Sequence, residues 1–158
     1  LMLIGNVGTG KSYMASAIAN ALIEKGVKVK FTSFIEITND IFSASDKTKY
    51  VKSLNKYDLL IIDDVGTERN TEYTLENIYW VIDERVSEGK PLIITTNTDI
   101  DKKENDENFN RRRINSRIRN VCIPVDIPNY NIREIMSKKH NETCAEIFWN
   151  GGGSNGKE

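Results

Sequence analysis

The stretch Gly5-Asn6-Val7-Gly8-Thr9-Gly10-Lys11-Ser12 fits the pattern GxxxxGK[ST]. Glycines at those places let the backbone wrap closely around a polyphosphate, successive N–H groups form an anion nest, and a helix starting there adds its partial positive charge. Lys11 would reach the β- and γ-phosphates of ATP and Ser12 would bind Mg²⁺, with Gly5, Asn6, Val7, Gly8, Thr9, Gly10 and Tyr13 completing the nucleotide-binding set. A glycine-rich turn that happens to carry Lys and Ser is the competing reading. The flanks oppose it, because apolar Leu1-Met2-Leu3-Ile4 precedes the motif and Met14, Ile18, Ala21 and Leu22 follow at helical spacing.

A second chemical block is Asp63-Asp64, closing the apolar run Leu59-Leu60-Ile61-Ile62. There Asp63 should hold Mg²⁺ through water, as a Walker B acid does, and Asp64 would orient or deprotonate an attacking water. Two acids capping a solvated strand end remain the alternative. Asn97 follows Thr95-Thr96 at the end of another apolar run, where it would stand between the γ-phosphate and the acid as sensor 1; a turn-forming Asn is the other possibility. Five arginines fall within residues 111–119. Arg113 and Arg117, four apart beside Ile114 and Ile118, suit a guanidinium presented to a neighbouring subunit's γ-phosphate, against the plainer reading of a solvated helix face. Arg133 is a further γ-phosphate candidate, or a surface helix charge.

These groups act together only if the chain carries them to one edge. Short apolar runs alternate with helical patterns, the layout of parallel strands covered by crossover helices. Strands are expected at Leu1–Ile4, Val27–Phe31, Leu59–Ile62, Leu92–Thr95 and Val121–Val125. A helix follows the glycine-rich turn and stops at Gly26, one or two lie between Ser33 and Lys56, and another spans roughly Thr71 to Glu88, closed by Gly89 and Pro91. The polar run Asp101–Asn108 reads as a surface loop, and Ile114 and Ile118 anchor a short arginine-rich helix. The expected fold class is α/β, a three-layer P-loop core with a central parallel sheet over residues 1–142. Residues 143–158, with their Gly151-Gly152-Gly153-Ser154-Asn155-Gly156 run, are expected to be a flexible tail.

Composition narrows the function classes. The 158 residues are 39% hydrophobic and 28% charged, within the range of one ordinary globular domain. Lysine plus arginine number 22 against 23 acids, a net charge of −1, so any attraction to nucleic acid must be local. Cys122, Cys144 and the single His140 form no zinc pattern, and no apolar run approaches the roughly 20 residues that span a bilayer. A cytoplasmic protein with reduced thiols and no membrane partner is expected. The strand-like run starting at Leu1 is read as a sign that the natural chain extends upstream.

The residues resemble those of the AAA+ helicase loaders of the DnaC/DnaI type and of the related IstB transposition ATPases. Four blocks carry the likeness: Gly5 to Ser12; Ile61-Ile62-Asp63-Asp64-Val65-Gly66-Thr67-Glu68-Arg69 with Glu72-Tyr73; Ile82-Asp83-Glu84-Arg85 through Gly89-Lys90-Pro91 to Thr95-Thr96-Asn97; and Arg113-Ile114-Asn115-Ser116-Arg117-Ile118 with Cys122 and Pro124-Val125. The resemblance implies an ATP- and Mg-dependent AAA+ (ASCE) core with little or no C-terminal lid. It implies self-association into oligomers, with Arg117 as the trans finger and Arg133 at the sensor 2 position. As partners it implies a replicative DNA helicase and single-stranded DNA. Ser33 to Lys56 would correspond to the inserted helix of the initiator clade, where Lys47, Lys49, Tyr50 and Lys52 would contact a strand, or simply form a solvated basic face. Where the family usually has Ser, two residues before its sensor 2 arginine, this chain has Asn131. A transposase-remodelling helper, a monomeric GTPase or kinase, and a module that only binds nucleotide are the competing functions. Thr96-Asn97-Thr98-Asp99 lacks the lysine that a guanine-reading motif stacks on the base.

Overall fold

The computed structural model describes residues 1–65, 72–97, 109–138 and 140–141. The readings placed on Gly66–Arg69, on Thr98-Asp99, on the polar loop 101–108 and on the tail 143–158 lie outside the described residues. The elements are β1 (Met2–Ile4), α1 (Lys11–Ile23), β2 (Val29–Ser33), α2 (Phe34–Ser43), α3 (Lys47–Ser53) with a 3₁₀ turn at Leu54–Lys56, β3 (Leu59–Val65), α4 (Glu72–Ser87), β4 (Leu92–Thr96), α5 (Phe109–Val121) and β5 (Pro124–Asp126). Residues 132–138 are helical as well. The strands lie in the order β2-β3-β4-β1-β5 and every recorded pairing is parallel.

Side chains alternate across each strand, so one sheet feeds two cores. Met2, Leu60, Ile62, Leu92 and Ile94 pack against Phe34, Ile37, Ile41, Val51, Ile78, Ile82 and Ile118, which places α2, α3, α4 and α5 on one face. Leu3, Leu59, Ile61 and Ile93 pack against Ala15 and Ala19 of α1 on the other. The three-layer arrangement and the position of the glycine-rich loop after the first strand match the sequence expectation.

Element boundaries differ at several places, two of them for a clear local reason. The second strand begins at Val29 rather than Val27, because the Val27 N–H closes the end of α1 on Leu22 O and Lys28 is tied to Asp58. It runs on to Ser33, whose hydroxyl accepts the Glu36 N–H while Glu36 accepts the Ser33 N–H, a capping box that starts α2 with no spacer. The last strand is shorter than expected and the arginine-rich helix longer. Val121 stays in α5 and Cys122 continues its bonding to Ile118 O, leaving Pro124–Asp126 to pair with β1 on the sheet edge, where a residue without an N–H is tolerated. The third strand continues past Ile62 to Val65.

Below the sheet sits Arg85, 1% exposed. Its guanidinium donates to Leu54 O (3.2 Å), Tyr57 O (2.9 Å), Asp58 O (3.4 Å) and Pro91 O (2.6 Å), tying together the segments that enter β3 and β4.

Candidate nucleotide site

The glycine-rich loop joins β1 to α1 at the carboxyl edge of the sheet. Gly10, with φ 90°, is the residue before the first helical turn, and Thr9 folds its hydroxyl onto Asn6 O at 2.8 Å. Lys11 is buried, and its ammonium donates to Gly5 O (2.9 Å) and Asn6 O (2.8 Å) inside its own loop. Burial holds its pKa below the usual lysine value; the carboxylates of Asp64 and Asp63 oppose that shift and Arg133 adds to it. The Lys11 loop and the two acids leave the carboxyl ends of β1 and β3 in one parallel sheet. Ser12 and Tyr13, on the first turn of α1, are exposed.

The two acids sit on an irregularity. Ile62 pairs with Ile94 and Val65 with Thr96, so Asp63 and Asp64 together oppose the single residue Thr95, a β-bulge in a parallel pair. Asp64 takes the left-handed conformation (φ 60°), which Asp tolerates better than most residues. Thr95 Oγ1 donates to Asp63 Oδ1 at 2.5 Å and accepts the Asp64 N–H at 2.8 Å, while Asn97 Nδ2 donates to Asp64 Oδ1 at 3.0 Å. Asn97 thus reaches the second acid, as its place after β4 suggested. Thr95 engages one of the two Asp63 oxygens. The other, with the Ser12 hydroxyl, is a hard donor of the kind Mg²⁺ takes together with phosphate oxygens and water, so the residues fit that ion.

Residues 127–133 close over the loop. Asn6 Nδ2 donates to Asn129 Oδ1 (2.9 Å), the Arg133 N–H donates to Gly8 O (3.2 Å), and Asn131 lies directly against Gly8. Asn131 also accepts the Glu134 N–H at 3.1 Å, capping the helix that carries Arg133. The asparagine at this position thus caps the helix, and its side chain lies beside a residue that has none.

Arg117 is not brought to this edge. Its Nη2 lies 2.8 Å from Asp83 Oδ1 on α4, a helix on the sheet face opposite α1. With Tyr79, Arg112, Arg113, Ser116 and Asn120 it lines an open cleft of about 480 Å³. Arg113 stacks its guanidinium 4.6 Å above the Tyr79 ring. Of the residues named for a strand path, Lys47, Lys49 and Lys52 are exposed, with Lys47 Nζ 5.5 Å above the Tyr73 ring. Tyr50 is partly buried: it packs against the core and its hydroxyl donates to Asp40 Oδ2 at 2.7 Å. Burial, with Asp40, also raises its pKa. Thr95, Asp83, Tyr79 and Asn129 escaped the sequence reading. Each acts through a partner on another element, and no spacing along one element announces that. Among the described residues no helix is long and apolar enough to cross a membrane.

Comparison with known proteins agrees with this geometry. The profile of the IstB-like ATP binding protein family matches residues 1–134. A putative ATP-binding protein in an insertion sequence of Mycobacterium tuberculosis is 29% identical over 100 residues, covering 61% of this chain and 40% of that protein. The replicative helicase loader DnaC of Escherichia coli is 30% identical over 103 residues, covering 62% of this chain and 42% of that protein. The chain thus spans about two fifths of the length of these relatives. The crystal structure of the DnaC helicase loader superposes with a TM-score of 0.69 at 25% identity, over 80% of this chain and 77% of that one.

Proposed function

Because the chain belongs to the IstB-like ATP binding protein family, we propose that it is an AAA+ ATPase that works as an oligomer on DNA, loading a replicative helicase onto single-stranded DNA. In this reading Lys11 exchanges its two carbonyl partners for β- and γ-phosphate oxygens, and the N–H groups from Gly5 to Tyr13 cradle the rest. Ser12 and Asp63 would hold Mg²⁺, which would supply charge neutralisation for the phosphate oxygens. Asp64 takes a proton from the water that attacks the γ-phosphorus as ADP leaves. Asn97 keeps that carboxylate in line, and Arg133 stands on the loop side of the triphosphate. The observation that carries the proposal is geometric: the loop before Lys11 and the acids Asp63 and Asp64 leave the carboxyl ends of strands β1 and β3 of one parallel sheet, with the Arg133 N–H bonded to Gly8 O of that loop.

Arg117 would complete the site of a neighbouring chain. Its place on α5, on the sheet face opposite α1, supports action in trans, for which its ion pair with Asp83 would have to open. The test is to mix a Lys11→Ala chain with an Arg117→Ala chain. Each is inactive alone, a trans finger being worth about 10³-fold or more in rate, and the mixture recovers hydrolysis. No recovery at any ratio removes the trans assignment.

A transposition helper is the second reading, favoured by the family match and by the insertion-sequence relative. Co-purification with a replicative helicase, against ATP-dependent stimulation of a transposase, separates the two. The exposed lysines at 47, 49 and 52 are the proposed phosphate contacts in either case.

A further inference from the structure

The bulge that carries Asp63 and Asp64 is engaged from across the sheet at two points by the hydroxyl of Thr95. In a regular strand Val65 would fall on the same face as Ile61, yet it packs in the cluster with Ile62 on the opposite face, so the extra residue is absorbed between them. A bulge breaks the ladder locally and leaves a backbone group to be satisfied by other means. Here the Asp64 N–H bonds to Thr95 Oγ1. A hydroxyl has one proton to give, and Thr95 gives it to Asp63 Oδ1. Thr95 is 1% exposed, so water has no ready access to replace it.

We propose that Thr95 is a positioning residue for the metal and the attacking water: its hydroxyl fixes the rotation of the Asp63 carboxylate and, through the Asp64 N–H, the left-handed backbone that aims Asp64 at Asn97. The inference rests on the reading of Asp63 as the residue that steadies Mg²⁺, and it adds a residue that motif spacing does not mark. Thr95 itself touches neither nucleotide nor metal. Replacing it by valine keeps the shape and removes both bonds; replacing it by serine keeps both bonds and removes only a methyl.

The test measures binding of a fluorescent ATP analogue to the full chain, first in EDTA and then during titration with Mg²⁺, alongside turnover of ATP. Thr95→Val is expected to bind the analogue in EDTA as the wild type does. It should need about 10- to 100-fold more Mg²⁺ for half of the metal-dependent change, the usual cost of losing a partner behind a metal ligand. Turnover should fall with little change in KM, and Thr95→Ser should restore both readouts. Equal Mg²⁺ requirements in the wild type and Thr95→Val overturn the inference, as does a serine variant impaired as much as the valine one. If Thr95→Val does not fold, Thr95→Ala is read against Thr95→Ser in the same way. A wild type that fails to bind the analogue at all refutes the nucleotide reading instead, so the two failures are distinguishable.

Discussion

Replacing Arg85 by methionine tests the scaffold beneath the site. The guanidinium makes bonds of 2.6 and 2.9 Å to Pro91 O and Tyr57 O and longer ones of 3.2 and 3.4 Å to Leu54 O and Asp58 O. Two acceptors keep a second donor when it is lost, since Leu54 O also receives the Tyr57 N–H and Pro91 O the Leu60 N–H. Tyr57 O and Asp58 O lose the side-chain donor that held them; Tyr57 is half-buried and its stranded acceptor costs about 1–3 kcal/mol, whereas Asp58 is exposed and water can replace its longer bond. Against this, burial lowers the Arg85 pKa, a sign that the charge itself is costly to hold there, and methionine recovers part of that cost while filling the stem's volume. The net expectation is a loss of about 2 kcal/mol, equivalent to roughly 4–8 °C in Tm for a chain of this size. Arg85→Lys should lose a similar amount, because a compact ammonium cannot span carbonyls from three segments. Thermal and urea unfolding give the answer, with the urea slope unchanged if only stability is altered. A methionine variant within about 1 kcal/mol of wild type would refute the claim that these carbonyls depend on the guanidinium.

Lys11→Met should weaken ATP binding by about 1.5–3 kcal/mol, roughly 10- to 150-fold, while melting at or above the wild-type temperature without nucleotide. The sign follows from linkage. The folded chain releases the Lys11 proton below the ordinary 10.5 of the unfolded one, so between those two values the unfolded state binds more protons and wild-type stability rises with pH. Below that window the buried ammonium's cost is carried in full, and the methionine variant should lack the rise; parallel pH profiles would contradict this. Gly8→Ala should be destabilised by about 1–2 kcal/mol from its left-handed φ of 82°. It should lose further nucleotide affinity because the new methyl meets Asn131, and Asn131→Ala should relieve only that steric share in a double mutant.

Much of the architecture was legible because long-range organisation here has local signatures. Apolar runs of strand length, Gly26 and Gly89 at helix ends and the GxxxxGK[ST] spacing each report on a few consecutive residues, and each stands where expected. What stayed hidden depends on register between strands or on packing between helices. Nothing in Leu59 to Val65 announces that the ladder slips by one residue opposite Thr95, and period-2 patterning alone would have sent Val65 to the wrong face. The Arg117 ion pair with Asp83 and the stacking of Arg113 on Tyr79 join α5 to α4, whose rotation about their axes no spacing encodes. The packing of Tyr50 on α3 against the core is hidden for the same reason.

The bonds from Asn6 to Asn129 and from Arg133 to Gly8 join chain positions more than 120 residues apart. The phosphate loop is consequently strapped to the helix at 132–138. A change in the curvature of the loop would bear first on these two bonds and, through the Arg133 N–H, on the opening turn of that helix.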